Sequence, residues 1–365
     1  MQPIVSNSIF LAPWLNSVPP PHLSKFSQVL DPEAGAPAMG KIAERLLALL
    51  SSSAIRKGSL ATMQFERCRA DLLRPIERCV RADKPVRLTL MAFPFKVPNP
   101  AKVGSRRIPD LAELAALVRL YDLNARARSV YPPGLEIHII HDGSYIADMF
   151  GVCREEVRSY ESYFARLAGA LDADAFLYQH DFQDLLDAYI GDPTQQAAHL
   201  REAALDWQRS FRDRPEWTDW FSKTVGMINL RNLSFGEACR LLDHASSGQL
   251  PPEYRQLERC VHVAMLRYYA HDSLLHACDP RPVCFPDAIH LTTQCRPRRL
   301  AIWTVNRGQS LLPWHGVGVV DRNGKWRVAL ARGVFQNPSY EPVFLNGEDT
   351  PFFYRQMAEN MHTLR

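Results

Sequence analysis

The chain has 365 residues, of which 46% are hydrophobic and 22% are charged. This apolar content is enough for one large domain or two ordinary ones, and it excludes a disordered or fibrous protein. The formal net charge of +4 is close to balance and gives no indication of nucleic-acid binding. No stretch approaches about eighteen uninterrupted apolar residues, and the N-terminus lacks the basic region of a signal peptide, so we expect a cytoplasmic protein.

The eight cysteines include no Cys-x-x-Cys pair, and no histidine has the spacing of a zinc site. This pattern predicts free thiols and no metal ion. The sequence also lacks a glycine-rich dinucleotide motif, a P-loop and a nucleophile elbow. Dehydrogenase, NTPase and hydrolase interpretations are therefore disfavoured.

The first half of the chain predicts an irregular arm followed by alternating helices and strands. The arm covers residues 1–37, which are rich in Pro, Ser and Asn. Apolar spacing then predicts helices over 38–55, 62–82 and 110–131, and strands over 85–95 and 135–143. The order strand, helix, strand is typical of a crossover unit in a parallel sheet, in which the loops after the strands usually carry the chemistry.

The second half begins with a largely helical section, from 155–171 to about Tyr269, with a short strand at 175–180. Strand character returns at 287–294, at 298–305 and in a hairpin around Asn323-Gly324. The sequence therefore predicts an α/β fold with a Rossmann-like, mostly parallel sheet flanked by helices and a largely helical middle section. We expect an α/β part over 38–165, a helical section over 166–285, and strands over 286–365 that complete the sheet.

Three segments contain candidate site residues, and the first is the loop after the first strand. Its polar residues are Lys96, Asn99, Lys102, Arg106, Arg107 and Asp110, among prolines that stiffen the chain. Lysine supplies a point charge and arginine a bidentate donor, so this loop is able to hold an anionic substrate. Taken alone, it is more typical of a solvated basic loop.

The second segment follows the next strand and contains Asp142, Gly143 and Asp148. Two carboxylates beside one turn are able to bind hydroxyl or ammonium groups, or to act as general base and acid. Taken alone, Asp142-Gly143 is more typical of a hairpin turn, and Asp148 of a helix cap.

The third segment places Trp314 and His315 just before a strand. A histidine there is able to carry protons near neutral pH, although a structural histidine is the commoner case. The other histidines, in HASSG, HVAMLRYYAH and HDSLLH, are typical of helix faces.

Together the three segments resemble the isocyanide (isonitrile) synthase family, which includes the enzyme that opens the dityrosine pathway of yeast spore walls. The matching motifs are AFPFK and PNPAK in 92–102, IPDLAE in 108–113, Asp142-Gly143 with Asp148 beyond it, Val157 to Tyr160, and PWHG in 313–316. The resemblance is dense over 86–165 and resumes over about 286–320.

The resemblance implies an enzyme that converts the amino group of an amino acid, usually L-tyrosine or L-tryptophan, into an isocyano group. It implies ribulose 5-phosphate as the carbon donor and no metal or redox cofactor. The product would then pass to an iron- and 2-oxoglutarate-dependent oxygenase of the same pathway. Neither nucleic acid nor membrane is an expected partner.

Within this chemistry, we expect Lys96, Lys102 and the Arg106–Arg107 pair to bind phosphate, and Asp142, Asp148 and His315 to orient substrate or transfer protons. Lys96→Met is expected chiefly to raise the requirement for sugar phosphate. The three segments, 93–110, 140–148 and 313–316, should converge around one cleft.

One segment departs from the family pattern. Where the family has an Ile-Arg-Leu-Ser-Ile-His-like stretch, this chain has His290 in place of Arg and Gln294 in place of His. This departure leaves two alternatives open. One is a related enzyme that condenses an amine with a sugar phosphate or keto compound and forms a different product, and the other is a non-catalytic, ligand-binding homologue.

Overall fold

The computed structural model describes residues 39–190, 192–210, 215–277, 279–345 and 347–357, so the predicted arm over 1–37 lies outside the described part. The α/β prediction is confirmed, because a five-stranded parallel sheet forms the centre of the molecule in the order β3-β2-β1-β4-β5. Its strands are β1 (Val86–Met91), β2 (Leu135–His141), β3 (Leu177–Asp181), β4 (Ile289–Thr292) and β5 (Leu300–Ala301).

Helices surround this sheet and also form most of the middle section. They are α1 (Met39–Ser51), α2 (Leu60–Met63), α3 (Phe65–Arg81), α4 (Pro100–Val103), α5 (Leu111–Val130), α6 (Gly143–Phe150), α7 (Arg154–Ala170), α8 (Phe182–Ile190), α9 (Pro193–Ser210), α10 (Trp217–Val225), α11 (Phe235–Ala245), α12 (Arg255–Ala277), α13 (Arg281–Cys284) and α14 (Ala331–Phe335). Within the described ranges, none of them combines the length and hydropathy needed to cross a bilayer.

Two apolar layers cover the sheet. Leu88 and Ile137 are fully buried in the main core, which also contains buried leucines of α1 and α5. On the other side, Ile140 packs with Phe182 and Leu186 of α8. Strands with apolar side chains buried on both faces are typical of parallel sheets enclosed by helices.

The C-terminal strands complete the central sheet only in part. β4 and β5 join it, whereas β6 (Val317–Val320), β7 (Trp326–Ala329), β8 (Tyr340–Val343) and β9 (Phe353–Gln356) form a separate four-stranded sheet in the order β7-β6-β9-β8. The hairpin prediction is confirmed, since β6 and β7 are antiparallel around Asn323-Gly324. The prediction that all these strands extend one sheet is wrong, because β6 and β7 pair with each other and pack on α5 instead.

The turn after β2 also differs from its simplest interpretation. Asp142-Gly143 joins β2 to α6 and is not a hairpin turn, and Asp148 lies inside α6 and does not cap a helix. The strand predicted at 175–180 is confirmed as β3, which pairs in parallel with β2. The carboxyl ends of β1, β2 and β3 therefore lie side by side, at the edge where α/β folds usually bind ligands.

Candidate active site

The loop that follows β1 brings the three polar segments together. Its amide at Val97 donates a hydrogen bond to the carbonyl of Trp314 at 3.1 Å, and the carbonyl of Phe93 accepts one from His141 Nδ1 at 2.8 Å. The Phe93 ring lies 4.6 Å from that of Phe164 and 5.1 Å from that of Trp314. The loop therefore contacts both the segment after β2 and the segment before β6.

Phe93 has a backbone φ of 60°, in the left-handed region that bulky residues rarely adopt. Such a conformation costs about 1–3 kcal/mol and persists only where its surroundings impose it. Here the buried aromatic contacts hold the ring, and the turn directs the carbonyl to His141. The strain is located at the first turn of the candidate site.

The close approach of the loop after β1 explains why a glycine, Gly143, follows Asp142. A Cβ atom at this position would lie 2.1 Å from the carbonyl oxygen of Pro94 and 2.9 Å from Val157 Cγ1. Only a residue without a side chain allows the loop after β1 to contact the start of α6 so closely. Asp142 is thereby placed directly beside this loop.

Lys96 belongs to the same loop and lies in a buried ion cluster that fixes the loop in place. Its side chain is fully buried, and Nζ lies 3.2 Å from Asp110 Oδ2 and 2.9 Å from Glu113 Oε2. Nζ also donates to the carbonyls of Pro313 at 3.0 Å and Gly316 at 2.8 Å. These four oxygens engage the ammonium group, so Lys96 organises the loop and offers no free charge to a phosphate.

The two carboxylates of this cluster also form the start of α5. Asp110 accepts from the Ala112 amide at 2.6 Å, and the Glu113 carboxylate accepts from the Asp110 amide at 2.9 Å, which is a capping box. Burial raises the pKa of Glu113 to about 7 even though Lys96 lowers it. Tyr160 donates to the same carboxylate at 3.2 Å. The cluster thus joins α5, α7, the loop after β1 and the PWHG segment.

Lys102 presents a free cation beside this cluster. Its Nζ has no hydrogen bond or ion pair among the residues that the structure describes, and burial, with a smaller effect of Arg332, lowers its pKa to about 8. The tip lies against Gly226, where a Cβ atom would be 2.4 Å from Nζ. At neutral pH most of this lysine still carries its charge, so it is suited to bind an anion.

His315 lies near Lys102, and its imidazole ring is neutral. Burial lowers its pKa well below the usual value, and the charges of Lys102 and Lys96 lower it further. Its ring has no hydrogen-bond partner among the described residues, and the preceding Trp314 is buried. A neutral imidazole has one donor and one acceptor nitrogen, and both are available to a ligand.

Asp142 lies beside the loop after β1, at the position that precedes α6. Burial raises its pKa to about 6, and the nearby charge of Asp181 acts in the same direction. No other described residue donates a hydrogen bond to this carboxylate. Burial raises the pKa of Tyr268 on α12, and the nearby charge of Asp142 raises it further, so this tyrosine lies within electrostatic range of Asp142.

Replacing Asp142 with Asn should make the free protein more stable at neutral pH. The native pKa is about 6, above the ordinary 3.8, so the native state favours the protonated form. Protonation of Asp142 therefore contributes fully to the free energy of unfolding below about pH 4, and this contribution is lost as the pH rises through 6. We expect the variant to gain about 1–3 kcal/mol at pH 7.5. Urea unfolding at pH 7.5 and pH 4 measures this difference, which should disappear at the lower pH; a loss at pH 7.5 would contradict it.

Three of the predicted site residues are either paired with other protein groups or exposed at the surface. Arg106 is buried and donates to Glu348 at 2.6 Å and to the Pro109 carbonyl, so it anchors its own segment. Arg107 is exposed and pairs with Glu156 at 3.0 Å. Asp148 is exposed on α6. We therefore remove these three residues from the predicted phosphate and proton-transfer sets.

The remaining predicted binding residues have structural contacts or lie at the surface. Asn99 caps α4 by accepting from the Ala101 amide at 3.0 Å. His290, in the middle of β4, has Nδ1 2.9 Å from Thr89 Oγ1, and burial lowers its pKa to about 4. Gln294 is exposed in the following loop. Among the described residues, neither the His290 side chain nor the Gln294 side chain hydrogen-bonds to Lys102, His315 or Asp142.

The structure adds three residues to which the sequence assigned no role, namely Glu113, Tyr160 and Tyr268. The IPDLAE motif contains Glu113, and its capping-box spacing with Asp110 is a signal for a helix start. Tyr268 is in α12, where the helical pattern gives no sign of a site. The described residues contain no group of three or more His, Cys, Asp or Glu side chains placed to hold a metal ion. Seven cysteines are described, and all are free thiols.

Sequence comparison relates the chain to known biosynthetic proteins. The profile of the family described as "Pyoverdine/dityrosine biosynthesis protein" matches residues 76–216. The L-tyrosine isonitrile synthase of Pseudomonas aeruginosa is 29% identical over 322 residues, which are 79% of this chain and 87% of that protein. Isocyanide synthase xanB of Aspergillus fumigatus is 25% identical over 292 residues, which are 77% of this chain. The aligned part is only 38% of the length of that fungal protein.

The fold agrees with this relationship. The crystal structure of the PvcA protein from Pseudomonas aeruginosa superposes with a TM-score of 0.60 at 22% identity, covering 86% of this chain and 99% of the other. The family profile includes the loop after β1 and the Asp142-Gly143 turn. The chain is therefore similar to the pyoverdine/dityrosine biosynthesis proteins over residues 76–216, and similar in sequence and fold to isocyanide (isonitrile) synthases.

Proposed function

We propose that this protein is an isonitrile synthase that converts the amino group of an aromatic amino acid into an isocyano group, with ribulose 5-phosphate as carbon donor. The observation that carries the proposal is the arrangement of Lys102, His315 and Asp142. A free cation and a neutral imidazole lie near each other in the segments joined by the loop after β1, and a carboxylate with a raised pKa lies beside the same loop at Gly143. The isonitrile synthases among the relatives support the same reaction class.

Lys102 is the proposed phosphate anchor. Its ammonium group is free, largely desolvated and beside a glycine that leaves room next to Nζ. A charged hydrogen bond to a phosphate oxygen would supply the partner that it lacks. Binding the phosphate there would place the sugar chain along the loop after β1, toward Asp142.

Asp142 is the proposed base for the amino group. An amino acid arrives as an ammonium ion and must lose a proton before its nitrogen attacks the ketone of the sugar phosphate, with release of water. A carboxylate with a pKa of about 6 binds the ammonium ion when charged, and it accepts a proton more readily than an ordinary aspartate. Activity should therefore fall as the pH decreases below about 6.

His315 is the proposed hydrogen-bonding and proton-transfer group on the sugar side. Burial, together with the charges of Lys102 and Lys96, lowers its pKa and keeps the ring neutral, so one ring nitrogen is free to accept a hydrogen bond from a sugar hydroxyl as that hydroxyl loses its proton. Cleavage of both carbon–carbon bonds of the former ketone carbon completes the reaction, with release of C1 as formaldehyde, of the other three carbons as a hydroxyketone, and of inorganic phosphate. The ketone carbon then stays on the nitrogen as the isonitrile carbon, and a downstream oxygenase is the proposed consumer of the product.

Mass spectrometry tests the reaction directly. The purified protein is incubated with pooled amino acids and ribulose 5-phosphate, and the products are searched for an amino acid that has gained one carbon and lost two hydrogens. We expect one aromatic amino acid to give this product. A sugar phosphate labelled with ¹³C at the ketone carbon should transfer the label to the product.

A reaction without sugar phosphate serves as the control. Consumption of sugar phosphate without the expected mass change would contradict the proposal and favour the condensing enzyme with a different product. If nothing is consumed, calorimetric titration with ribulose 5-phosphate separates an inactive ligand-binding homologue from a protein that lacks the site.

A further inference from the structure

Two polar side chains at the contact between α6 and α12 are buried without partners among the residues that the structure describes. The hydroxyl of Tyr145 and both ring nitrogens of His271 are inaccessible, and no described residue hydrogen-bonds to any of these atoms. His271 is only 2% exposed. Most buried polar groups in proteins are hydrogen-bonded, so three such atoms in one place require an explanation.

Tyr145 and His271 are close to each other and lined by aromatic rings. Their ring centroids are 4.2 Å apart, and Phe182 lies 5.4 Å from Tyr145 and 5.9 Å from His271. The ring centroid of His271 also lies 6.4 Å from that of Tyr268, whose pKa is raised by burial and further by the charge of Asp142.

The positions of these residues on their helices connect the pair to the candidate site. Tyr145 follows Asp142 by three residues at the start of α6, and residues with this spacing lie on the same side of a helix. His271 follows Tyr268 by three residues on α12, which packs against α6. The pair and Asp142 therefore lie along the same contact between α6 and α12.

The hydrogen-bonding capacity of the pair defines what it can recognise. Burial lowers the pKa of His271 to about 3, so its ring is neutral at physiological pH, with one nitrogen that donates and one that accepts. The Tyr145 hydroxyl is able to do both. A ligand hydroxyl also donates and accepts, whereas an indole N–H only donates and a phenyl ring does neither.

We propose that Tyr145 and His271 form a subsite that recognises a hydroxyl group on the aromatic side chain of the amino-acid substrate. This inference rests on the proposed function, with the substrate ammonium group at Asp142. Because these three atoms are inaccessible in the free protein, binding requires α6 and α12 to move apart at this contact; the phenol then lies among the rings of Phe182 and Tyr268 and supplies the hydrogen bonds that the pair lacks. The chain should accordingly select tyrosine over phenylalanine and tryptophan.

The experiment compares L-tyrosine, L-phenylalanine and L-tryptophan as substrates of the wild type, Tyr145→Phe and His271→Phe. Sites built to hydrogen-bond a hydroxyl group discriminate strongly against analogues that lack it. We expect a kcat/KM ratio of tyrosine to phenylalanine of at least about 100 for the wild type and of less than about 10 for either variant. Tyr178→Phe, which changes an exposed tyrosine on β3, is the control and should keep the wild-type ratio.

Thermal unfolding separates recognition from a structural role. Removing a buried polar group without a partner should leave the melting temperature unchanged or raise it, because nothing in the free protein compensates that group. Tyr145→Phe removes a single oxygen atom and so tests the proposal even if His271→Phe fails to fold. A lower melting temperature for Tyr145→Phe would indicate a structural hydroxyl and overturn the assignment.

Calorimetric titration with each amino acid, without sugar phosphate, distinguishes the two proposals. If isonitrile forms from tyrosine and phenylalanine equally well, the subsite is overturned while the proposed function stands. If no isonitrile forms but tyrosine binds at least tenfold more tightly than phenylalanine, and Tyr145→Phe removes the difference, the subsite stands without the proposed function. Equal binding, or no binding of either amino acid, overturns it.

Discussion

Lys96→Met is expected to destabilise the protein by about 3–5 kcal/mol, because it removes the cation from a buried cluster and leaves Asp110 and Glu113 unpaired. The loop after β1 would also lose its contacts with the carbonyls of Pro313 and Gly316. Urea unfolding at pH 7 measures the loss. This expectation replaces the simpler one that Lys96→Met chiefly raises the requirement for sugar phosphate.

A second substitution tests the cause of this loss. Glu113→Gln in the Lys96→Met background removes one unpaired carboxylate and should recover part of the stability. Lower pH should act in the same direction, because the carboxylates without their cation bind protons more strongly in the native state. A Lys96→Met protein as stable as the wild type, with only a raised KM for sugar phosphate, would show that Lys96 is a ligand contact.

Lys102→Met is expected to act in the opposite way, with a large effect on substrate use and little effect on stability. A charged hydrogen bond is worth about 1.5–3 kcal/mol, so its loss should raise the KM for ribulose 5-phosphate about 10- to 150-fold. The melting temperature should not fall, because Lys102 has no ion-pair partner among the described residues. Steady-state kinetics with varied sugar phosphate measures this effect.

Lys223→Met is the matched control for this experiment. Lys223 is an exposed lysine of α10 that pairs with Asp219 one turn earlier, so its removal should leave KM unchanged. An equal rise in KM for both variants would indicate a general effect of surface charge. An unchanged KM for Lys102→Met would remove Lys102 from the phosphate site.

The central fold was predictable because its signals are local. β1 and β2 have apolar residues at alternating positions, and the pattern over 110–131 carries its own capping signal at Asp110. The separate C-terminal sheet was not predictable, because β6 pairs in parallel with β9, from which it is separated in the chain by β7 and β8, and local sequence patterns do not encode such pairings. The same applies to the start of α6, where Asp142-Gly143 indicates a turn equally well before a strand or a helix.

The candidate site was predictable in position but not in its individual roles. The motifs identified the loops that converge, whereas the state of each charge depends on its neighbours in space. Lys96 and Lys102 are six residues apart in one loop region, yet one is bound by two carboxylates and the other is free. His271 was assigned to a helix face from its spacing, and only the contact between α6 and α12 distinguishes it from the other helical histidines.

The order of strands in the central sheet has a consequence for how the chain folds. β1 pairs with β4, so Thr89 lies opposite His290, about 200 residues later in the chain. Loop closure over such a separation is slow, and during synthesis the edge of β1 stays without its neighbour until β4 leaves the ribosome. A truncation before residue 289 would leave that edge permanently unpaired. We therefore expect such a fragment to aggregate, even though it contains the loop after β1, Lys102 and Asp142.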